Sequence, residues 1–311
     1  MSRILVSLGG NALGTDFDEL VETVGIIAKP LVGLIADGHE VVVCHGNGPQ
    51  VGMIKTSIDL GKAGAHDDRV VPLSECVAMS QAYIGYHLQN AIENQLHAHG
   101  IEDKTVVTVI TRAVVDADDP LFSRPTKPIG AFFTKEQADD YVAKTGKTFI
   151  EDSGRGWREV VASPIPQRIL EQDSVRHLVV SGHVVIAGGG GGIPVVFRDN
   201  WYKAIDAVID KDRTSILLAA DTQCDDLVIL TGVEKVAVDF NTPTQRDVDQ
   251  MTLAQAEAWM AEGQFPEGSM GPKIQAAMDF VRSGPNRKTL ITSLDKLVEG
   301  LRGETGTWVV A

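Results

Sequence analysis

The chain has 311 residues, enough for one large or two ordinary domains, and its 43% hydrophobic and 23% charged content is that of a globular protein with a sizeable core. With 28 basic and 42 acidic side chains it carries a net charge of −14, which argues against a nucleic-acid surface or an anionic membrane as partner, since both need clustered positive charge. Its three cysteines, Cys44, Cys76 and Cys224, are widely spaced, which suggests neither a zinc site nor a disulfide framework and fits a reducing compartment. No apolar run reaches membrane-spanning length, and we read the protein as cytoplasmic.

Ile4 to Leu8 reads as a first strand, followed by Gly9-Gly10-Asn11-Ala12-Leu13-Gly14. Leu20, Val24, Ile27, Leu31 and Leu34 recur at helical spacing, and Gly38 closes that helix. A second strand over Val41 to Cys44 runs into His45-Gly46-Asn47-Gly48-Pro49, where proline suits the first turn of a helix continued by Val51, Ile54 and Ile58. This is a β-α-β unit with a right-handed crossover, so both glycine turns should lie on one carboxyl edge of a parallel sheet, where open α/β sheets bind ligands. Ser74 to His99 is a long helix, and Val106 to Ile110 a third strand.

From Asp116 to Ala162 the rhythm changes. Pro120, Pro125 and Pro128 accompany Phe132, Phe133, Tyr141, Phe149 and Trp157, an aromatic density foreign to linkers, so a small inserted subdomain is expected there, with strands near Lys147 to Ile150 and Trp157 to Val161. The sheet resumes at Val184 to Ala187 and meets five glycines, Gly188 to Gly192. Asp212 can cap a helix from Arg213 to Ala220, and Asp226 to Thr231 forms a further strand. Helices over Met251 to Glu262 and within Ser269 to Gly284, and strands at Leu290 to Ser293 and Thr307 to Val310, complete an alternating α/β pattern.

Three strand-to-glycine turns in one α/β sheet suggest backbone N–H groups gathered around a polyanion. Transfer of a phosphoryl group is catalysed mostly by positioning and charge stabilisation, so cations are the second requirement. Lys127 stands between Thr126 and Pro128, Lys211 between Asp210 and Asp212, and Lys273 just inside a helix start after Gly271-Pro272, while Asp212 is placed to hold lysines protonated and oriented. His45 reads as a packed histidine. The lack of an evident base fits an acceptor that is already an anion, such as a carboxylate or carbamate, with no proton to remove.

Taken together, Gly9-Gly10-Asn11-Ala12-Leu13, His45 to Gly52, Pro125-Thr126-Lys127-Pro128-Ile129-Gly130, Gly189 to Val195, Val208 to Asp212 and Gly268 to Lys273 resemble the carbamate kinase branch of the amino-acid kinase superfamily over nearly the whole chain. The resemblance implies a three-layer α/β domain spanning 1–311: an open, mostly parallel eight-stranded sheet flanked by helices, with a small protruding inserted subdomain at about 116–162. Residues 1–200 would form a carbamoyl-phosphate-side lobe and 201–311 a nucleotide-side lobe. It implies a homodimer, and reversible phosphoryl transfer from carbamoyl phosphate to ADP, with Mg2+ accompanying ADP/ATP, in fermentative arginine catabolism. Gly9, Gly10, Asn11, Gly46, Asn47 and Gly48 would hold carbamoyl phosphate. Lys211, Thr231, Met270, Gly271 and Lys273 would face the nucleotide. Lys127 and Lys273 would flank the transferred phosphoryl group, with Lys211 and Asp212 completing the catalytic set. Many relatives outside this branch carry lysine two residues before the first Gly-Gly; here it is Ser7, and Lys127 in the insert looks like the replacement charge. Arg124, Ala131 and Ala162 depart from the branch pattern of asparagine, proline and proline.

Three other readings are open to the same residues. One is an acyl-phosphate kinase acting on N-acetylglutamate or aspartate, against which Ser7 and the insert argue. Another is a dinucleotide-binding oxidoreductase using Gly46-x-Gly48, which needs an acidic residue ending the next strand; Asp67 and Asp68 have the distance, but Gly61 to Pro72 has no strand pattern. The third is a catalytically silent sensor, against which the intact Lys127, Lys211, Asp212 and Lys273 argue.

Overall fold

The computed structural model describes residues 2–9, 13–14, 16–65, 71–152, 154–266 and 269–311. The chain begins with β1 (Arg3–Leu8), α1 (Phe17–Ala36), β2 (Glu40–His45), α2 (Gly48–Ala65), α3 (Leu73–Ala98) and β3 (Val106–Thr108). A strand-rich stretch follows: β4 (Arg112–Val115), β5 (Lys127–Phe133), the helix α4 (Lys135–Thr145), β6 (Thr148–Glu151), β7 (Trp157–Val161) and β8 (Pro166–Ile169). Alternation returns with α5 (Gln172–Val180), β9 (Val184–Ile186), β10 (Ile193–Arg198), β11 (Trp201–Ala204), α6 (Lys211–Asp221) and β12 (Asp226–Leu230). The last segment holds β13 (Val236–Val238), β14 (Arg246–Val248), β15 (Gln250–Thr252), α7 (Leu253–Ala261), α8 (Met270–Arg282), β16 (Lys288–Thr292), α9 (Leu297–Leu301) and β17 (Thr307–Val310).

The main sheet has eight strands in the order β15-β17-β16-β12-β1-β2-β9-β3. Its pairs are parallel except β16 with β17. Such a sheet is buried on both faces, and its central strands are accordingly near-continuous apolar runs. Period-two alternation divides β1 between two cores. Ile4, Val6 and Leu8 pack with α1, α3 and α9, whereas Leu5 packs with β2 and the α5, α6 and α8 side. Ser7 therefore points to the same face as Leu5, beneath α6.

Residues 127–161 contribute a sheet of their own, β5-β7-β6, with α4 alongside. Its aromatics cluster: Phe133 lies 5.2 Å from Tyr141 and 5.6 Å from Phe149, ring centre to centre. This sheet meets the main fold where β5 crosses α2. A Cβ on Gly52 would stand 1.9 Å from the Cα of Gly130, so the two backbones touch and Gly52 has no room for a side chain. Gly130 is also left-handed, at φ +71°.

Several expectations shift in detail. The third strand ends at Thr108. Helix α6 starts at Lys211, not Arg213, and its cap is Asp210, whose side chain accepts from the backbone N–H of Asp212 at 2.9 Å. Asp212 is thus not the cap, and both its carboxylate oxygens are available for other partners. Asp67 and Asp68, needed by the oxidoreductase reading, lie outside the described residues.

Candidate active site

The carboxyl ends of β12, β1, β2 and β9 lie side by side on one edge, and the glycine turns after β1, β2 and β9 are therefore neighbours. Gly9 follows β1, with a Cβ position only 3.5 Å from the carbonyl of Leu230 at the end of β12. Gly10 and Asn11 lie outside the described residues. After β2, the N–H of Gly46 donates to the Leu8 carbonyl at 3.0 Å, and Gly48 opens α2.

The third turn behaves differently from expectation. Gly188 to Gly192 are buried, and the N–H groups of Gly188, Gly191 and Gly192 are already taken by the Thr111 hydroxyl and the carbonyls of Gly188 and Gly189. A Cβ on Gly189 would strike the His45 ring at 2.6 Å, and one on Gly190 the Asn47 amide at 2.1 Å. These glycines let β2's turn press against β9's turn; at Gly188, Gly191 and Gly192 they offer no open donors to a polyanion. Gln81 fixes the contact, donating to the carbonyls of Thr111 and Gly189 at 3.0 and 2.9 Å and accepting from the Thr111 N–H at 2.9 Å. Asn47 donates its amide to the Ser80 hydroxyl at 2.8 Å, which orients the turn from behind.

Beside these turns the N-terminus of α6 assembles the charged groups. The Lys211 ammonium donates to Asp212 Oδ1 at 2.5 Å and to Ser7 Oγ at 2.9 Å. Lys273, in the first turn of α8, reaches Asp212 Oδ2 at 3.1 Å. Ser215, one turn into α6, donates to Ser7 Oγ at 3.0 Å. Lys127 crosses from β5 to Asp210 Oδ2 at 2.5 Å. Three ammonium groups thus share two carboxylates at one sheet edge of an acidic protein. Exposure rises along the series, with side chains 10%, 18% and 39% exposed for Lys211, Lys273 and Lys127. Lys211 is the fixed member and Lys127 the accessible one.

Burial raises the cost of charge here, and the pairing decides where charge stays. For Asp212 burial is outweighed by Lys211 and Lys273, which hold the carboxyl well below the usual carboxylate range. Lys211 is pushed up, Asp212 overcoming burial. Lys273 is pushed down, because burial there exceeds the pull of the Asp212 it shares with Lys211. His45 is driven down to about 4 by burial, with Lys211 adding to it and the Gly46 carbonyl opposing. It is neutral at pH 7 and packed, as the packed-histidine reading expects. Burial raises Cys44 to about 11, so it is no nucleophile.

Thr231 follows β12, its N–H held by the Thr292 carbonyl at 2.9 Å. Met270 and Gly271 open α8, where Gly271 packs on the carbonyls of Phe265 and Pro266. The structure thus joins Lys127, Lys211, Asp212 and Lys273 through direct or adjacent ion pairs. It adds Asp210, Ser7 and Ser215, which sequence reasoning passes over as linkers of that network; the serines meet across more than 200 residues, a contact that no local pattern signals. Among the described residues no cluster of three or more His, Cys, Asp or Glu side chains could cage a metal.

A sheet of this order with three lysines converging on one edge is the fold of an amino acid kinase, and the amino acid kinase family model matches residues 2–293. Carbamate kinase of Staphylococcus epidermidis is 49% identical over 311 residues, covering 99% of each chain. Carbamate kinase 3 of Staphylococcus aureus is 48% identical over 310 residues, with 99% of each chain covered. The solved carbamate kinase from Giardia lamblia bound to AMP-PNP superposes with a TM-score of 0.89 at 37% identity, covering 99% of this chain and 98% of that one. The chain belongs to the amino acid kinase family and, within it, to the carbamate kinases. It is a kinase.

Proposed function

We propose that the protein transfers a phosphoryl group reversibly between carbamoyl phosphate and ADP, giving ATP and carbamate, which breaks down to ammonia and carbon dioxide. The observation that carries this reading is the Lys211–Asp212–Lys273 junction, with Lys127 one carboxylate away, on the shared edge of β1, β2 and β12. In the direction of ATP formation an ADP β-phosphate oxygen attacks the phosphorus of carbamoyl phosphate. The bond from phosphorus to the carbamate oxygen breaks, and that oxygen keeps the electron pair. No proton moves, so the neutral, buried His45 is not needed as a base. Lysine ammonium groups and backbone N–H groups suffice to stabilise charge on the transferring group.

In this reading Gly9, Gly10, Asn11, Gly46, Asn47 and Gly48 hold carbamoyl phosphate. Lys211, Thr231, Met270, Gly271 and Lys273 face the nucleotide. Lys127 and Lys273 flank the phosphoryl group, and Asp212 keeps Lys211 and Lys273 charged and aimed. Asp210 and Asp212 are both occupied by ammonium groups, which suits an Mg2+ ion carried by the nucleotide phosphates better than one caged by protein. Such an ion neutralises phosphate oxygens when bound.

A cytoplasmic homodimer in fermentative arginine breakdown completes the proposal. No helix among the described residues is long and apolar enough to cross a membrane. A second copy has apolar surface to cover, since Phe17 and Tyr86, 55% and 59% exposed, both stack edge-on against His87 between α1 and α3. The decisive experiment offers ADP and magnesium with carbamoyl phosphate, acetyl phosphate or N-acetylglutamyl phosphate. ATP made efficiently from carbamoyl phosphate alone supports the reading; preference for another donor, or no ATP from any, refutes it.

A further inference from the structure

Arg158 lies outside the lysine cluster and yet faces the same edge. It sits in β7, whose partner β5 carries Lys127, with Ile129 opposite Glu159 and Lys127 opposite Val161. One small sheet therefore delivers two cations, Lys127 toward Asp210 and Arg158 toward the turn after β2.

The guanidinium is held from behind. Its Nε donates to the Gly130 carbonyl at 3.1 Å and its Nη1 to Asp152 at 3.2 Å, and its plane centre lies 5.1 Å from the Phe132 ring. The side chain is only 11% exposed. Its Nη2 makes no hydrogen bond to any described residue. That atom is instead the nearest neighbour, at 3.9 Å, of the position a Cβ would take on Gly48.

Gly48 is the first residue of the 18-residue helix α2, whose free N–H groups carry partial positive charge. A largely buried guanidinium and a helix's positive end thus face the same small space, the one left by the side chain that Gly48 lacks. Asp152 pairs with the Nη1 of Arg158, and it is shared with Arg155 at 3.0 Å. Like signs so placed repel unless an anion lies between them. The gap cannot relax easily, because one turn along α2 the backbones of Gly52 and Gly130 are in contact. A phosphate in the gap would meet backbone N–H groups on one side and a charged donor on the other, the strong kind of hydrogen bond.

We propose that Arg158 is a further substrate-binding residue, its Nη2 holding the phosphate of carbamoyl phosphate against the Gly46–Gly48 turn. This rests on the carbamate kinase reading above. A purely structural strut would use only Nε and Nη1. The two roles differ in what they move: a strut affects stability and both substrates together, whereas a ligand affects one substrate.

The test compares wild type, Arg158→Gln and Arg158→Lys in ATP formation from ADP and carbamoyl phosphate, with thermal unfolding of each. Arg158→Gln should raise KM for carbamoyl phosphate about tenfold or more while KM for ADP stays within about twofold. Arg158→Lys, which keeps the charge but not the fork, should fall between. An unchanged KM for carbamoyl phosphate in folded Arg158→Gln overturns the proposal, and so does a parallel rise in both KM values with a lowered Tm. Should Arg158→Gln not fold, an unchanged carbamoyl phosphate KM in Arg158→Lys overturns it equally. A wild-type enzyme silent with carbamoyl phosphate overturns the functional reading, and this proposal with it; an active wild type with unmoved variants overturns the role of Arg158 alone.

Discussion

Lys127 places its ammonium 2.5 Å from Asp210, so the residue that caps α6 also receives the one cluster lysine supplied by the small sheet. The two oxygens of Asp210 divide the work, Oδ1 accepting from the Asp212 N–H and Oδ2 pairing with Lys127. With 39% of its side chain exposed, Lys127 contributes little to stability through this pair, on the order of 1 kcal/mol or less. Lys127→Ala should therefore leave Tm nearly unchanged and lower kcat/KM for phosphoryl transfer about a hundredfold. Unchanged steady-state kinetics would remove Lys127 from the mechanism.

Asp212 has a different balance. It is buried and bonded to two ammonium groups, so Asp212→Asn leaves Lys211 and Lys273 facing each other with a neutral amide between them. Breaking a buried pair by removing one partner costs about 3 kcal/mol. The variant should lose both stability and kcat, seen by denaturant unfolding and steady-state rates. A variant that loses stability but retains kcat would confine Asp212 to holding the fold.

Gly52 decides how the small sheet sits. By helix propensity alone, Gly52→Ala should stabilise α2 by about 1 kcal/mol. The contact with Gly130 reverses the sign: the added methyl would have to displace backbone, and overpacking of this kind costs about 1–3 kcal/mol. A lowered Tm, with faster proteolysis within residues 127–161, is the expected result. A stabilised Gly52→Ala would mean that β5 does not rest on α2.

These residues show what could be read before the structure. The β-α-β opening, the glycine turns at Gly46 and Gly48 and the odd settings of Lys127, Lys211 and Lys273 are local features, and each is visible in a short window. The start of α6 is less legible because Asp210 and Asp212 are both good caps; only the demand of Lys211 and Lys273 for Asp212 decides between them. The pentaglycine looks like an anion cradle by composition, yet His45 and Asn47, nearly 150 residues away in sequence, fill the space its missing side chains leave. Ser7 and Ser215 meet only through such a distant pairing, and Arg158 comes beside Gly48 only through the fold.

His45 gives a pH signature. Its unfolded value is near 6.5 and its folded value about 4, burial being the main cause. Below pH 6.5 the unfolded chain takes up this proton and the native state does not. The stabilisation is therefore complete above about pH 6.5 and is lost as pH falls toward 4, by about 3 kcal/mol in all. His45→Gln should flatten the decline of unfolding free energy between pH 7 and 5 relative to wild type. Parallel declines would show that His45 titrates normally in the fold.

Lys273 tests the central claim most directly, that lysines ordered by Asp212 stabilise the transferring phosphoryl group without a base. ATP formation from ADP and carbamoyl phosphate would be measured for wild type and Lys273→Ala side by side. The predicted result is an active wild type and a variant whose kcat falls about a hundredfold or more while its KM values change only a few-fold, the pattern of an interaction made in the transition state. Equal kcat in the two proteins would contradict it.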